Sequence, residues 1–167
     1  VSGGSKLDSY IQGTYTFTPS EQLGFDIFNN EQGDCFHCHG LATTGYQLGA
    51  HGLLQFTNNG LDSIYVVGAG REAVTGDPSD RSKFKVPSLR NVEYSYPYMH
   101  DGRFQTLAEV LDFYEMGGHP SPTLDPNMKA VGVGRNWSIA QKQGLLDFLK
   151  TFSDPAFLTD TSFTDPW

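Results

Sequence analysis

Cys35-Phe36-His37-Cys38-His39 reads C-x-x-C-H. Cysteines three positions apart put both sulfurs on one side of a single helical turn. From there they can form thioether bonds to the two vinyl groups of one haem, and the next histidine stands under the iron. The stretch therefore points to one covalent haem c, attached at Cys35 and Cys38, with His39 as the proximal ligand. Other readings explain less. Zinc takes about four ligands, and these are the only two cysteines in the chain; adding His37 gives an unusual zinc spacing. A thioredoxin-like redox pair belongs in a βαβ setting, which the flanking sequence does not offer. A Cys35–Cys38 disulfide leaves the adjacent His39 without a reason.

Composition bounds the setting. The 167 residues suffice for one domain with a real core. Aromatics make up 13% of the chain, which suits a core built against a flat apolar macrocycle. The formal net charge of -8 disfavours nucleic acid and anionic membranes. It suits docking on a basic patch of a redox partner protein. No apolar run approaches the roughly 20 residues of a membrane span. Covalent haem attachment in bacteria takes place outside the cytoplasmic membrane, so a periplasmic or otherwise exported location is expected. The chain opens at Val1 with no signal-peptide pattern, so either a leader has been removed or the chain is part of a longer protein.

Working outward, residues 1–17 read as a linker-like segment with one turn of helix, and residues 18–167 as a cytochrome c-like domain. Thr18-Pro19-Ser20-Glu21 is a capping box that starts a helix with Leu23, Ile27 and Phe28 on one face. Gly24 inside it costs about 1 kcal/mol relative to Ala; a close helix crossing would explain it, as would a surface accident. Residues 40–83 are rich in Gly, Asn, Asp and Thr and read as loop with short extended pieces such as 63–67; His51 there reads as a loop histidine. Thr106–Glu109 is a second capping box, starting a helix that ends at Met116-Gly117-Gly118. Ser138–Gln141 is a third, opening a helix with Leu145, Leu146, Phe148, Leu149 and Phe152 on its apolar face and stopped by Asp154-Pro155. A helix just before C-x-x-C-H and a leucine/aromatic helix near the end predict an all-α, cytochrome c-like fold with long irregular loops around one haem c.

The stretch 84–118, FKVPSLRNVEYSYPYMHDGRFQTLAEVLDFYEMGG, is specific. It resembles the C-terminal domain of bacterial dihaem cytochrome c peroxidases and MauG-like proteins. TPSEQLGFDIFNNEQGDCFHCHG resembles the start of that same domain, and SKLDSYIQG the segment joining it to a preceding one. The resemblance implies two haems in the whole enzyme: one in an N-terminal domain that meets peroxide, and a six-coordinate electron-transfer haem in the C-terminal domain. This chain has one C-x-x-C-H and matches only the second domain.

The resemblance also implies candidate ligands. The peroxidases place a distal methionine fourteen residues past the histidine of the H-D-G motif; counted from His100, that position is Tyr114. The MauG-like branch has a tyrosine ligand there. Met116 is an alternative if the helix end unwinds at Gly117, and Met99, water or His100 complete the choices. A thioether raises the potential, whereas an anionic phenolate stabilises ferric and higher states. His100 is expected near the haem edge as a hydrogen-bonding group, or else as a turn histidine. Lys85 and Arg90 are candidate partners of the haem propionates, or plain surface charges. The family's calcium ion, bound between the domains, would use the backbone carbonyls of Ser95 and Pro97, with a further ligand from the missing domain. The function expected is electron transfer to or from a peroxide-reacting haem on an N-terminal haem domain or another redox partner. The alternatives are peroxide reduction by this haem, with His100 as acid/base, or a small cytochrome subunit with Trp137 and Trp167 on an apolar docking face.

Overall fold

A computed structural model describes residues 3–40, 55–63 and 70–163. Seven α-helices appear among them: α1 Lys6–Ile11, α2 Pro19–Phe28, α3 Phe36–His39, α4 Glu72–Thr75, α5 Leu107–Met116, α6 Ile139–Lys150 and α7 Pro155–Thr159. Two two-residue strands, β1 Phe56–Thr57 and β2 Phe84–Lys85, pair antiparallel, Phe56 opposite Lys85 and Thr57 opposite Phe84. The fold is thus mostly helical. His51, Trp167 and residues 64–67 of the expected extended piece lie outside the described residues.

The three capping boxes form as the sequence predicts, with Thr18, Thr106 and Ser138 each accepting the backbone N–H three residues on. Such caps satisfy amides that a helix start leaves without intrahelical partners. Helices α2 and α6 cross at a pair of glycines. A β-carbon at Gly24 would fall inside the carbonyl of Gly144, so close approach, not a surface accident, explains the residue. Phe148 sits at the crossing, fully buried. Phe17, Phe25, Phe28 and Phe152 surround it with ring centroids 5.3–5.8 Å away, mostly edge to face, a favoured aromatic geometry.

Two expectations need correction. Residues 1–17 do not behave as a linker in the described part. Leu7 and Phe17 belong to the central core, and a fourth capping box, Ser5 with Asp8, starts α1. The Gly3 and Gly4 amides donate to Asp154 Oδ2 at 3.0 and 2.8 Å, and Arg90 grips Asp8 with two bonds of 2.9 and 2.7 Å. The apolar side chains of this segment complete the α2–α6 core, which outweighs its glycine content. Second, Asp154-Pro155 does not end α6, which stops at Lys150. It starts α7, with Asp154 accepting from Phe157 N and Pro155 at the first helical position.

Candidate functional site

Helix α3 is the single turn that carries the motif. His39 N donates to Cys35 O at 3.0 Å, which closes the turn and groups the Cys35, Cys38 and His39 side chains. Both cysteines are free. Burial pushes the Cys35 thiol up to about 12 and the Cys38 thiol up to about 11, because a thiolate there loses its water. Burial likewise holds the His39 imidazole down to about 4, with the carbonyl of Pro87 acting weakly in the opposite sense. That carbonyl does not reach hydrogen-bonding geometry: His39 Nδ1 is buried without a partner. Pro87 lies in the 84–92 stretch, which the sequence picks out without giving this residue a role.

The facing wall comes from α5. Burial pushes the Tyr114 phenol up to about 12; Asn59 opposes this, and the sulfurs of Cys38 and Cys35 act on the phenol electrostatically. Tyr114 and the two cysteines therefore stand close together. Asn59 Nδ2 donates to Tyr114 Oη at 3.1 Å and contacts Met99 Sδ at 3.7 Å. Asn58 aims this neighbour. Its buried amide bonds Ser121 Oγ at 2.8 Å and Thr123 Oγ1 at 2.9 Å, and its Oδ1 accepts from Gly60 N. Met99 itself is held at φ +71°, a conformation non-glycine residues adopt rarely. Cys35, His39 and Tyr114 each keep intermediate solvent exposure although desolvation dominates their ionisation. Groups surrounded by protein that still own accessible surface line a concavity.

A third segment closes the edge. Arg135 N donates to Glu115 O at 2.8 Å, which pins this loop to the end of α5. Trp137 Nε1 donates to Gln32 O at 3.0 Å, three residues before Cys35. Trp137 is therefore a core residue, 6% exposed, and not part of an exposed docking face. The Arg135 side chain is 7% exposed and lies 3.6 Å from Asp34 Oδ2.

The other sequence candidates are placed elsewhere. Met116 follows Tyr114 by two positions, about 200° round the helix. It is 48% exposed and lines an outer groove with Leu61, Phe104, Phe113 and His119. Gly117 caps α5 in the left-handed conformation, so the helix does not unwind to bring Met116 round. His100 is exposed and stacks on Phe84 with centroids 3.9 Å apart. Arg90 is committed to Asp8. Ser95 Oγ donates to Val92 O at 3.0 Å, on the exposed loop that contains the cis Tyr96–Pro97 bond. Among the described residues, Glu31, Asp34 and His37 also lie at metal-ligand spacing. Lys129 Nζ sits among them, 2.6 Å from Glu31 Oε2 and 3.3 Å from Asp34 Oδ1, so an ammonium already supplies the positive charge.

Asn59, Pro87, Asp34 and Arg135 are the site residues that sequence reasoning missed. Asn59 lies in an Asn/Gly-rich run with no periodicity, and Arg135 in a Gly-rich loop. Neither carries a local signal; only the fold brings them to the motif.

Three comparisons bear on this arrangement. No protein-family profile matches the chain. Among curated proteins, it is 30% identical over 175 residues to the cytochrome-c peroxidase IdrP2 of Denitromonas iodatirespirans, covering 92% of this chain and 45% of that protein. It is 31% identical over 161 residues to the methylamine utilization protein MauG of Methylorubrum extorquens, covering 95% and 42% respectively. Among solved structures, a MauG-like protein associated with microbial copper homeostasis superposes with a TM-score of 0.86 at 35% identity, covering 99% of this chain and 56% of that one. The diheme peroxidase BthA of Burkholderia thailandensis shares the fold, with a TM-score of 0.69 at 22% identity. The chain spans about half the length of the curated relatives it matches.

Proposed function

The chain belongs to the family of cytochrome c peroxidases and MauG-like proteins, as the counterpart of their C-terminal half, and on that premise we propose that it is an exported c-type haem domain that relays electrons to or from a peroxide-reacting haem. That second haem belongs to a partner domain or protein, since the relatives that this chain half-covers include dihaem enzymes. The observation that carries the reading is the joint state of three groups. Two free thiols and an imidazole with an unpartnered buried nitrogen share one helical turn. A tyrosine whose phenol senses both sulfurs faces them. Apolar packing alone gives no reason to gather two thiols, an imidazole with an unpartnered nitrogen and a phenol at one place.

When bound, haem c supplies one-electron chemistry at its iron. Cys35 and Cys38 hold the macrocycle by thioether bonds, which removes the cost of keeping two thiols desolvated. His39 offers one imidazole nitrogen to the iron, and its neutrality, favoured by burial, keeps that lone pair available. The Pro87 carbonyl, which influences the imidazole without a formed hydrogen bond, would be the acceptor for its other nitrogen. Tyr114 would be the second residue to hold the iron, and the Asn59 amide, which donates to its Oη, would favour the phenolate form. A phenolate favours the ferric state, which fits a domain that stores oxidising equivalents. Met99, held on the same Asn59, is the fallback ligand; Met116 is not. The peroxide-reducing alternative lacks comparable support, because its acid/base candidate His100 stacks on Phe84 at the surface.

The test is expression with haem-attachment machinery, followed by mass and ferric optical spectra. The expected result is one covalent haem, lost in Cys35→Ser/Cys38→Ser, with a low-spin spectrum lacking a sulfur-to-iron band and altered in Tyr114→Phe. A chain that attaches no haem overturns the reading. A sulfur band that disappears in Met99→Leu replaces Tyr114 with Met99.

A further inference from the structure

We propose that Arg103 is a positioning residue that selects between Tyr114 and Met99: by clamping the Asn59 loop to the turn that carries Met99, it keeps the thioether from taking the place of the phenol. The inference rests on the haem reading above and adds what decides between the two side chains that meet Asn59.

The choice is set up at one amide. Asn59 Nδ2 lies 3.1 Å from Tyr114 Oη and 3.7 Å from Met99 Sδ, so phenol and thioether stand within a few ångströms of each other. They come from different elements. Tyr114 is fixed by α5, which has a capping box at its start and a left-handed glycine at its end. Met99 sits at the tip of a hairpin whose legs pair at Tyr98 and Phe104. Its φ of +71° is a conformation that persists in a non-glycine residue only where the surroundings impose it.

Arg103 supplies the constraint. Its Nη1 donates to Leu61 O at 3.3 Å and to Asp62 Oδ1 at 3.0 Å. Its Nη2 donates to Asp62 Oδ2 at 2.8 Å and to Asp101 Oδ2 at 2.6 Å, and its Nε to the same Asp101 oxygen at 2.8 Å. All three nitrogens thus bind the 58–62 loop to the Met99 turn. A single exposed ion pair contributes little. This one is a planar fork shared between two carboxylates and a carbonyl, a geometry that specifies position as well as charge. The other bonds of the loop run the opposite way. Asn58 Nδ2 donates to Ser121 and Thr123, and Gly60 O accepts from His119 N at 2.7 Å. Those bonds keep the loop beside Tyr114 when Arg103 is removed, whereas the turn loses its tie to the loop. A thioether has no proton to lose, so release of the turn is enough to let Met99 compete.

Ferric optical spectra through the far-red region and the midpoint potential of the haem-loaded chain test this. In Arg103→Gln a sulfur-to-iron band absent from the wild type is expected, with an upward shift of the potential, because a thioether raises it. Adding Met99→Leu removes the band. Asp62→Asn weakens the arm that crosses to the loop and leaves the Asp101 bonds, so it shifts both readouts the same way and by less. Asp8→Asn breaks a two-pronged clamp on the N-terminal segment and shifts neither, which separates ligand selection from general loss of stability. Unchanged spectra and potential in both Arg103→Gln and Asp62→Asn, with haem attached, overturn the selector and leave the haem reading intact. A sulfur band already present in the wild type and lost in Met99→Leu also overturns it, since Met99 is then the ligand with the clamp in place. A wild-type chain that attaches no haem overturns both.

Discussion

The α2–α6 crossing and the α3–α5 concavity are built by opposite rules. At the crossing every group finds its partner inside the chain: two glycines admit the close approach, five phenylalanines interlock, and caps satisfy the helix starts. At the concavity the partners are missing. Among the described residues three buried side-chain polar atoms lack a hydrogen bond, and two of them, His39 Nδ1 and Arg135 Nε, stand there. Two free thiols adjoin them, as does the Tyr114 phenol, which accepts from Asn59 Nδ2. The first region is complete as folded, and the second is complete only with something else in it. Changes at the crossing should therefore register as stability, and changes at the concavity as ligand chemistry.

The largest effect expected is at the crossing. Gly24→Ala drives a methyl into the Gly144 backbone, which cannot move without separating the helices. Forced overpacking of this kind costs about 3 kcal/mol. Denaturant unfolding measures it, and a loss below about 1 kcal/mol would show that the helices part easily. Next comes the clamp that holds the N-terminal segment. Arg90 and then Ser5 hold the Asp8 carboxyl down to about 2, with burial opposing them, against an ordinary value of 3.8. A carboxyl whose folded value is depressed contributes stability that is complete above its unfolded value and lost as pH falls through the folded one. Between about pH 4 and pH 2 the wild type should lose about 2 kcal/mol that Asp8→Asn does not lose. Parallel acid profiles for the two chains would disprove the clamp.

How much of this was legible beforehand follows the same division. The crossing was readable because helix periodicity, capping boxes and an odd glycine are local signals. Thr18, Thr106 and Ser138 cap where their spacing says. The turn that groups Cys35, Cys38 and His39 was readable because residues three and four apart share one helical turn. The far side of the site was not, since Asn59 and Arg135 reach it from loops that lie 55 and 21 positions from Tyr114. Nothing in their own surroundings marks them. Composition misled in the N-terminal segment, where Gly3, Gly4 and Ser5 suggest a linker. A buried carboxylate 150 positions from Gly4 holds them, and no local pattern announces such a contact.

Removing the ligand should separate the two regions in time. In Cys35→Ser/Cys38→Ser, amides of α5 and the 119–137 loop should exchange about tenfold faster than in the haem-loaded chain, a local loss of about 1.4 kcal/mol. Amides of α2 and α6 should change little. Uniform acceleration would mean that the crossing also depends on the ligand, and the contrast between the regions would fail.

The smallest effect on stability is the most informative about chemistry. Asn59 Nδ2 donates to Tyr114 Oη, and its amide also meets Met99 Sδ. It thus holds both candidate ligands from one position. A donor to the phenol oxygen favours the ionised form, so replacing it with the similarly sized Leu should raise the pH at which the phenolate form appears. A hydrogen bond to a charged group contributes about 1.5 kcal/mol, or roughly one pH unit in that midpoint. The direction is upward because the lost bond stabilised the anion. Global stability should change by less than about 1 kcal/mol, since both neighbours of Asn59 are fixed by other bonds. A pH titration of the ferric spectrum of Asn59→Leu measures the shift. An upward midpoint with little change in unfolding means that the site's distal chemistry is set by a residue from outside the helix that carries the ligand. An unmoved midpoint assigns Asn59 to packing alone and leaves Tyr114 tuned only by its burial.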